Sequence, residues 1–192
     1  MMGKRENKNR GSRIIRSIAA IVAALLACSL VACDTQNDIT RMLQSEGRPY
    51  NNVTTGKVGD TLTNTFFEWT VNSVTTEESL MLDGEEVSPN TSGYKFVLVD
   101  ITTKNIFDQP NPMGNFDFTI IWNEGEDTTE DTPYSQFMDD MYPDEFTQAV
   151  GDSTNGILVF EVPSDVTSAI IAYYEIWSDE FEGDTYLFEV KF

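Results

Sequence analysis

The feature that most constrains the fold is a two-residue alternation of side-chain character, which recurs along the chain after Gly56. In the last run, Tyr186, Phe188, Val190 and Phe192 occupy every second position. Successive side chains of a β-strand point to opposite faces, so a period of two is typical of a strand with two different faces. The chain beyond Gly56 is therefore predicted to be all-β.

Seven runs of this kind are rich in Val, Ile, Thr and aromatic residues and are separated by turn residues, as strands are. They are Lys57–Asn64, Phe66–Thr76, Tyr94–Ile106, Phe116–Trp122, Gly156–Val162, Ser168–Trp177 and Thr185–Phe192. Seven short strands without a long amphipathic helix favour an antiparallel two-sheet sandwich of the immunoglobulin-like class. This single domain is predicted to span residues 57–192.

The N-terminus has the order of a bacterial secretion signal. Basic residues between Lys4 and Arg16 precede an uncharged run from Ser17 to Ala32, which is shorter than the about 20 residues of a comfortable membrane span. The run ends in the lipobox Leu30, Val31, Ala32 and Cys33. Residues 1–32 are therefore predicted to be a helical lipoprotein signal peptide. An uncleaved anchor helix, or a plain signal peptide with an incidental Cys33, is the alternative.

The lipobox resembles that of bacterial lipoproteins, which implies a diacylglycerol on the Cys33 thiol as the membrane partner and anchor. Residues 33–56 form a polar, turn-rich stretch without periodicity, and we expect a flexible tether there. As a random coil, residues 34–56 would reach about 25 to 29 Å on average. A lipid anchor would thus hold the domain at the membrane without a transmembrane helix.

Charge and composition exclude several classes of partner. Beyond Cys33 there are six basic and 31 acidic residues, a formal net charge of −25. Nucleic acid is excluded as a partner, because phosphate binding depends on Lys and Arg. The chain contains no histidine, the side chain most used as a general base and transition-metal ligand. No cofactor is expected.

Three stretches, Lys57–Leu62, Tyr94–Asn105 and Gly151–Pro163, resemble the DUF4352 family of secreted bacterial lipoproteins. The resemblance implies a telokin-like, MPT63-type immunoglobulin-like sandwich on the extracellular face of the cell membrane, in a Gram-positive-like bacterium. It implies a binding or structural module and transfers no catalytic residue. The acidic and aromatic segment from Asn123 to Phe146 departs from the family's pattern.

Aromatic residues provide the candidate ligand-binding positions. Trp122, Tyr142 and Trp177 lie beside predicted loops, where exposed rings flanked by carboxylates would suit a glycan or a protein partner. The alternative is that most of these rings belong to the core.

Catalytic and metal sites find weaker support in the sequence. Ser92 and Lys95 have serine-enzyme spacing, but at the start of a strand these two side chains would point to opposite faces. Three acidic clusters, near residues 124–131, 139–144 and 179–184, lack the spacing of a dedicated calcium loop. We therefore expect a non-catalytic, lipid-anchored cell-surface module that binds an unknown ligand. A carbohydrate-binding module is the alternative, ahead of a hydrolase or a calcium-binding protein.

Overall fold

The computed structural model describes residues 52–82, 84–122, 129–131, 133–134, 139–175 and 183–192. The signal peptide, the lipobox and residues 33–51 of the tether lie outside these ranges and stay predictions. The strands are β1 (Val53–Lys57), β2 (Thr61–Thr63), β3 (Phe67–Glu77), β4 (Leu80–Leu82), β5 (Glu85–Val87), β6 (Tyr94–Asn105), β7 (Asn111–Met113), β8 (Phe118–Trp122), β9 (Thr129–Asp131), β10 (Phe146–Gln148), β11 (Ser153–Pro163), β12 (Ser168–Tyr174) and β13 (Thr185–Lys191).

Two main sheets form the sandwich. One, which we call the β13 sheet, has the strand order β1-β13-β12-β8-β9, and the other, the β6 sheet, has the order β11-β6-β3-β2. Two short ladders, β7 with β10 and β4 with β5, accompany them. All seven predicted runs contain strands of the two main sheets, and the predicted all-β sandwich is confirmed.

The core lies between the inner faces of the two sheets. Trp69 of the β6 sheet is fully buried, and its ring centroid lies 4.6 Å from that of Phe188 and 5.2 Å from that of Phe118, both in the β13 sheet. Phe67 and Tyr173 form a further edge-to-face pair at 4.7 Å. Such aromatic pairs add about 0.5 to 1.5 kcal/mol beyond the area that they bury.

The predicted boundary between tether and domain is corrected by β1. This strand begins at Val53, so residues 53–56, assigned to the tether from the sequence, belong to the β13 sheet. It also pairs parallel with β13, Val53 opposite Thr185, whereas an antiparallel sandwich was expected. The five residues VTTGK carry little apolar signal, because the strand depends on pairing with a partner about 130 residues away in sequence.

The acidic and aromatic segment from Asn123 to Phe146 includes strand β9 and the first residue of β10. In its described part, residues 139–145 form a loop along the free edge of β11, where Tyr142 N donates to Ile157 O at 2.9 Å and Ile157 N donates to Asp140 O at 3.0 Å. This loop covers an edge that would otherwise expose unpaired backbone groups.

Candidate functional site

The outer face of the β6 sheet is divided into a covered half and an open half. Leu80 of the β4–β5 hairpin packs on Phe96 and Val159 and buries the covered half. The open half carries short polar side chains at the outward positions of β3, β6 and β11. We call the set Asn72, Asp100, Thr102 and Asn155 the polar array.

Each of three neighbouring strands contributes to the polar array. Asp100 and Thr102 lie on the central strand β6, two residues apart and therefore on the same face. Asn155 lies opposite Thr102 on β11. Asn72 is the extra residue of a β-bulge in β3, where the register shifts between Val71 and Ser73. Bulges change the direction of a side chain, and this one places the Asn72 amide over β6.

The two asparagine amides bracket the central strand. Asn72 Nδ2 donates to Asp100 Oδ1 at 3.0 Å and to Thr102 Oγ1 at 2.9 Å. Asn155 Nδ2 donates to the same two atoms at 2.8 and 3.2 Å, and to the Ile101 carbonyl oxygen at 3.0 Å. Hydrogen bonds to a carboxylate are stronger than neutral ones, so the array holds its side chains in defined positions.

This geometry leaves hydrogen-bonding groups turned outward. Because both asparagines direct their amide nitrogens at Asp100 and Thr102, their carbonyl oxygens face away, and no described residue donates to them. Thr61 and Thr70 continue the polar face with a hydroxyl pair at 2.8 Å. The array therefore offers preorganised acceptors and hydroxyls at solvent-accessible positions.

The two candidate ligand-binding aromatics that the structure describes are buried and not exposed, as expected from the alternative that these rings belong to the core. Trp122 is 4% exposed and Tyr142 is 1% exposed, both within the main core. Tyr142 Oη lies 2.8 Å from Thr103 Oγ1, and burial raises the pKa of its phenol. Tyr142 is drawn inward because its backbone pairs with Ile157 at the edge of β11. Trp177 lies outside the described residues, as do Leu30, Val31, Ala32 and Cys33.

One described residue of the acidic clusters has a structural role. In the second cluster, Asp144 Oδ1 accepts a hydrogen bond from Asn115 Nδ2 at 2.9 Å. Within the described ranges, no three acidic, His or Cys side chains come together in a way that could hold a metal ion. Residues 124–128 of the first cluster and 179–182 of the third lie outside those ranges, so calcium binding there stays a prediction.

Two buried charged residues lie at opposite ends of the sandwich. Lys95, from the serine-enzyme spacing, is the second residue of β6 and places Nζ 5.1 Å from the centroid of the Phe192 ring. Glu175, which follows β12, is 3% exposed and accepts backbone hydrogen bonds from Thr65 at 3.0 Å and from Asp184 at 3.3 Å. Both side chains are held by structural contacts.

The polar array was missed from the sequence. Its signal was present as polar residues at alternate positions of a strand that is otherwise apolar on both faces, Asp100 and Thr102 after Phe96 and Leu98. Recognising the site required knowing that Asn72 and Asn155, which are distant in sequence, flank this strand.

The two packed sheets define an immunoglobulin-like β-sandwich module. The chain belongs to the DUF4352 family, described as a domain of unknown function, whose sequence profile matches residues 56–183. The family predicted from the three stretches is thereby confirmed. No curated protein matches the chain at significant similarity.

Two solved structures from Bacillus subtilis share the fold. YcdA, a candidate lipoprotein, is 16% identical with a TM-score of 0.51 over 71% of this chain, which spans 39% of YcdA. The YjhA protein is also 16% identical with a TM-score of 0.51, and the match covers 69% of this chain and 97% of the YjhA chain. At this identity the likeness establishes the fold alone. Among the described residues, no helix has the length and apolarity needed to cross a membrane.

Proposed function

We propose that this protein is a non-catalytic, lipid-anchored module on the extracellular face of the cell membrane, which binds its ligand through the polar array. The observation that carries the proposal is the bracket of Asn72 and Asn155 around Asp100 and Thr102, on the open half of a sheet face. Because these side chains are already held by hydrogen bonds, binding a ligand costs less conformational entropy. Family membership and the predicted lipobox support a surface location.

The anchor is tested by the substitution Cys33→Ala in the full-length chain expressed in a Gram-positive host. We expect loss of acylation, with the domain released into the medium or the precursor left unprocessed, because the thiol is the proposed attachment atom. Cys28→Ala, within the same apolar run, is the matched control and should leave acylation intact. Unchanged acylation and membrane attachment of the Cys33→Ala protein would contradict the anchor.

A non-catalytic role is supported by the side chains available. The chain has no histidine, and Lys95, the residue with serine-enzyme spacing, is buried against an aromatic ring. Turnover of any member of a panel of glycans, peptides and esters, abolished by replacing a single carboxylate, would overturn this part of the proposal.

Carbohydrate binding is the second candidate function. Because Trp122 is buried, the polar array and not the Trp122 ring would contact the sugar. Sugar hydroxyls both donate and accept hydrogen bonds, and the array presents amide carbonyls, a carboxylate and a threonine hydroxyl side by side. We expect a protein of residues 34–192 to bind cell-wall or host glycans that are immobilised on a glycan microarray.

The glycan test compares three variants of residues 34–192. Asn72→Ala combined with Asn155→Ala should weaken glycan binding by about tenfold or more, since each lost hydrogen bond contributes about 0.5 to 1.5 kcal/mol. Thr55→Ala, at an exposed position of β1 in the other sheet, is the control, and Trp177→Ala tests the remaining predicted aromatic. If no glycan binds, or the double variant binds equally well, the carbohydrate assignment fails and a protein ligand is left.

A further inference from the structure

At one end of the sandwich, three loops meet that lie outside the polar array. Phe66 O accepts hydrogen bonds from both Ile106 N and Phe107 N at 3.1 Å, which joins the β2–β3 loop to the loop after β6. Gly151 N donates to Asn105 O at 3.0 Å, and Asn105 N donates to Asp152 O at 3.0 Å. The β10–β11 loop therefore runs beside the loop after β6.

These loops carry an apolar surface. Ile106 is 41% exposed and Val150 is 54% exposed. The backbone hydrogen bonds above bring both residues to the same end of the sandwich as Phe66 and Phe107, whose half-buried rings have centroids 5.3 Å apart at 71°. Single exposed apolar residues are common, but two exposed residues and two half-buried rings brought together from three loops form a patch of the kind that marks an interaction site. We call Phe66, Ile106, Phe107 and Val150 the end surface.

Two buried asparagines hold the end surface rigid. Asn64, 5% exposed, accepts at Oδ1 from the backbone of Phe66 at 2.7 Å and of Phe67 at 2.8 Å. Asn105, fully buried, accepts at Oδ1 from Phe107 N at 2.8 Å and donates to the carbonyls of Gln109 and Gln148. The loops are thus ordered before any partner binds, which lowers the entropic cost of association.

The margin of the end surface is acidic. Asp108 and Asp152 are exposed in two of its three loops, and no Lys or Arg occurs in residues 64–66, 106–110 or 149–152. The nearest cation along β6, Lys104, lies 3.9 Å from Glu68. An apolar centre with an acidic margin is complementary to an apolar side chain surrounded by Lys or Arg.

We propose that the end surface docks a protein partner that places an apolar side chain against Ile106, Val150 and the two phenylalanine rings, and basic side chains against Asp108 and Asp152. A second copy of this chain would bring the same carboxylates together at a cost in free energy. The anionic lipids of a bilayer would repel this margin. The surface is separate from the polar array, so its function does not depend on the ligand proposed above.

The test is photo-crosslinking in intact cells that express the full-length chain. A photoreactive phenylalanine analogue replaces Val150 in one strain and Met81, which is 64% exposed on the β4–β5 hairpin, in the matched control strain. We expect a covalent adduct with one protein from position 150 and not from position 81, and a crosslinked peptide that contains Lys or Arg.

The charge requirement is tested in the same strain by Asp108→Lys with Asp152→Lys. This double reversal should lower the adduct yield by about tenfold or more, because opposed rim charges become like charges. Thermal melting of the purified variants verifies that they fold, and Asp152→Lys alone serves if the double variant does not. The proposal is overturned by adducts only with lipid, by adducts only with a second copy, by equal yields at position 81, by a yield that survives charge reversal, or by no adduct.

Discussion

At the residue scale, Gly156 is the position where the loop of residues 139–145 crosses the edge strand β11. A Cβ atom there would lie 2.5 Å from Tyr142 Cα and 2.6 Å from Tyr142 N, well inside van der Waals contact. Gly156 belongs to the third family stretch, where the sequence suggested only a strand start. The structure shows that its missing side chain makes room for another backbone.

We therefore predict that Gly156→Ala lowers the free energy of unfolding by about 1 to 3 kcal/mol, the usual cost of overpacking a rigid interior. Urea denaturation of residues 34–192 measures the change. Ser153→Ala, at an exposed position of the same strand, is the control and should change stability little. Equal stability of the two variants would show that the Tyr142 backbone can move away at little cost.

The tyrosines make stability fall at alkaline pH. Burial, together with the carboxylates of Glu175 and Asp184, raises the pKa of Tyr186 to about 12. Burial, helped by the charge of Asp117, also raises the pKa of Tyr173. An unfolded tyrosine titrates near pH 10, so below that pH both states are neutral. Between pH 10 and 12 the unfolded chain loses protons that the native state retains, and this favours unfolding.

The expected result is a drop in the free energy of unfolding between pH 9 and pH 11, to which Tyr186 alone contributes about 1 kcal/mol. Urea denaturation at the two pH values measures it. Tyr186→Phe removes the ionisable group and should lose correspondingly less stability over this interval. If the variant and the wild type lose the same amount, Tyr186 does not retain its proton in the native state.

At the element scale, a chain of hydrogen bonds ties the start of β1 to both sheets. Asn52 donates to Asp184 Oδ1 from its backbone at 3.2 Å and from its side chain at 3.0 Å. Asp184 N and Thr65 N both donate to Glu175. Glu175 thus links the end of β12 to the loop before β3, across the two sheets, at the end where the polypeptide enters the sandwich.

Glu175→Gln should therefore lower the free energy of unfolding by about 1 to 3 kcal/mol, because an amide NH₂ would face one of two buried backbone donors. Asp165→Asn, on an exposed turn, is the matched control that also removes one negative charge. Chemical denaturation measures the free energy of unfolding of both variants. If Glu175→Gln loses no more stability than Asp165→Asn, Glu175 is not needed to join the sheets.

The elements differ in how well the sequence predicts them. Strands β3, β6 and β13 were predicted nearly to their ends, because long alternating runs carry their own signal. Strand β1 was missed, because Val53–Lys57 becomes a strand through pairing with β13. Tyr142 was misplaced for a related reason, since hydrogen bonds to Ile157, not local periodicity, bring it into the core.

At the scale of the whole molecule, charge repulsion opposes the compact state. The chain after Cys33 has a formal net charge of −25, and self-repulsion of this kind destabilises a folded domain at low ionic strength. Raising NaCl from about 10 mM to about 0.5 M should raise the Tm by several degrees, because the screening length falls from about 30 Å to a few Å.

Glu77→Lys combined with Glu78→Lys provides the matched comparison for this salt effect. Both positions are exposed, and the two substitutions change the formal net charge after Cys33 from −25 to −21. Differential scanning calorimetry should show a higher Tm than the wild type at low salt and a smaller increase on adding salt. A Tm that is independent of salt in both proteins would remove self-repulsion as a determinant of stability.

What the sequence determined by itself is what short-range patterns encode. Alternation within each run specified strands, their number and turns specified an all-β sandwich, and three stretches specified the family. The tertiary structure decided everything that depends on strands meeting across long distances in sequence. It buried Trp122 and Tyr142, added β1 to the sheet, and brought Asn72, Asp100, Thr102 and Asn155 into one array. The physical reason is that strand pairing and register are set by contacts between remote segments, which periodicity in any one segment does not contain.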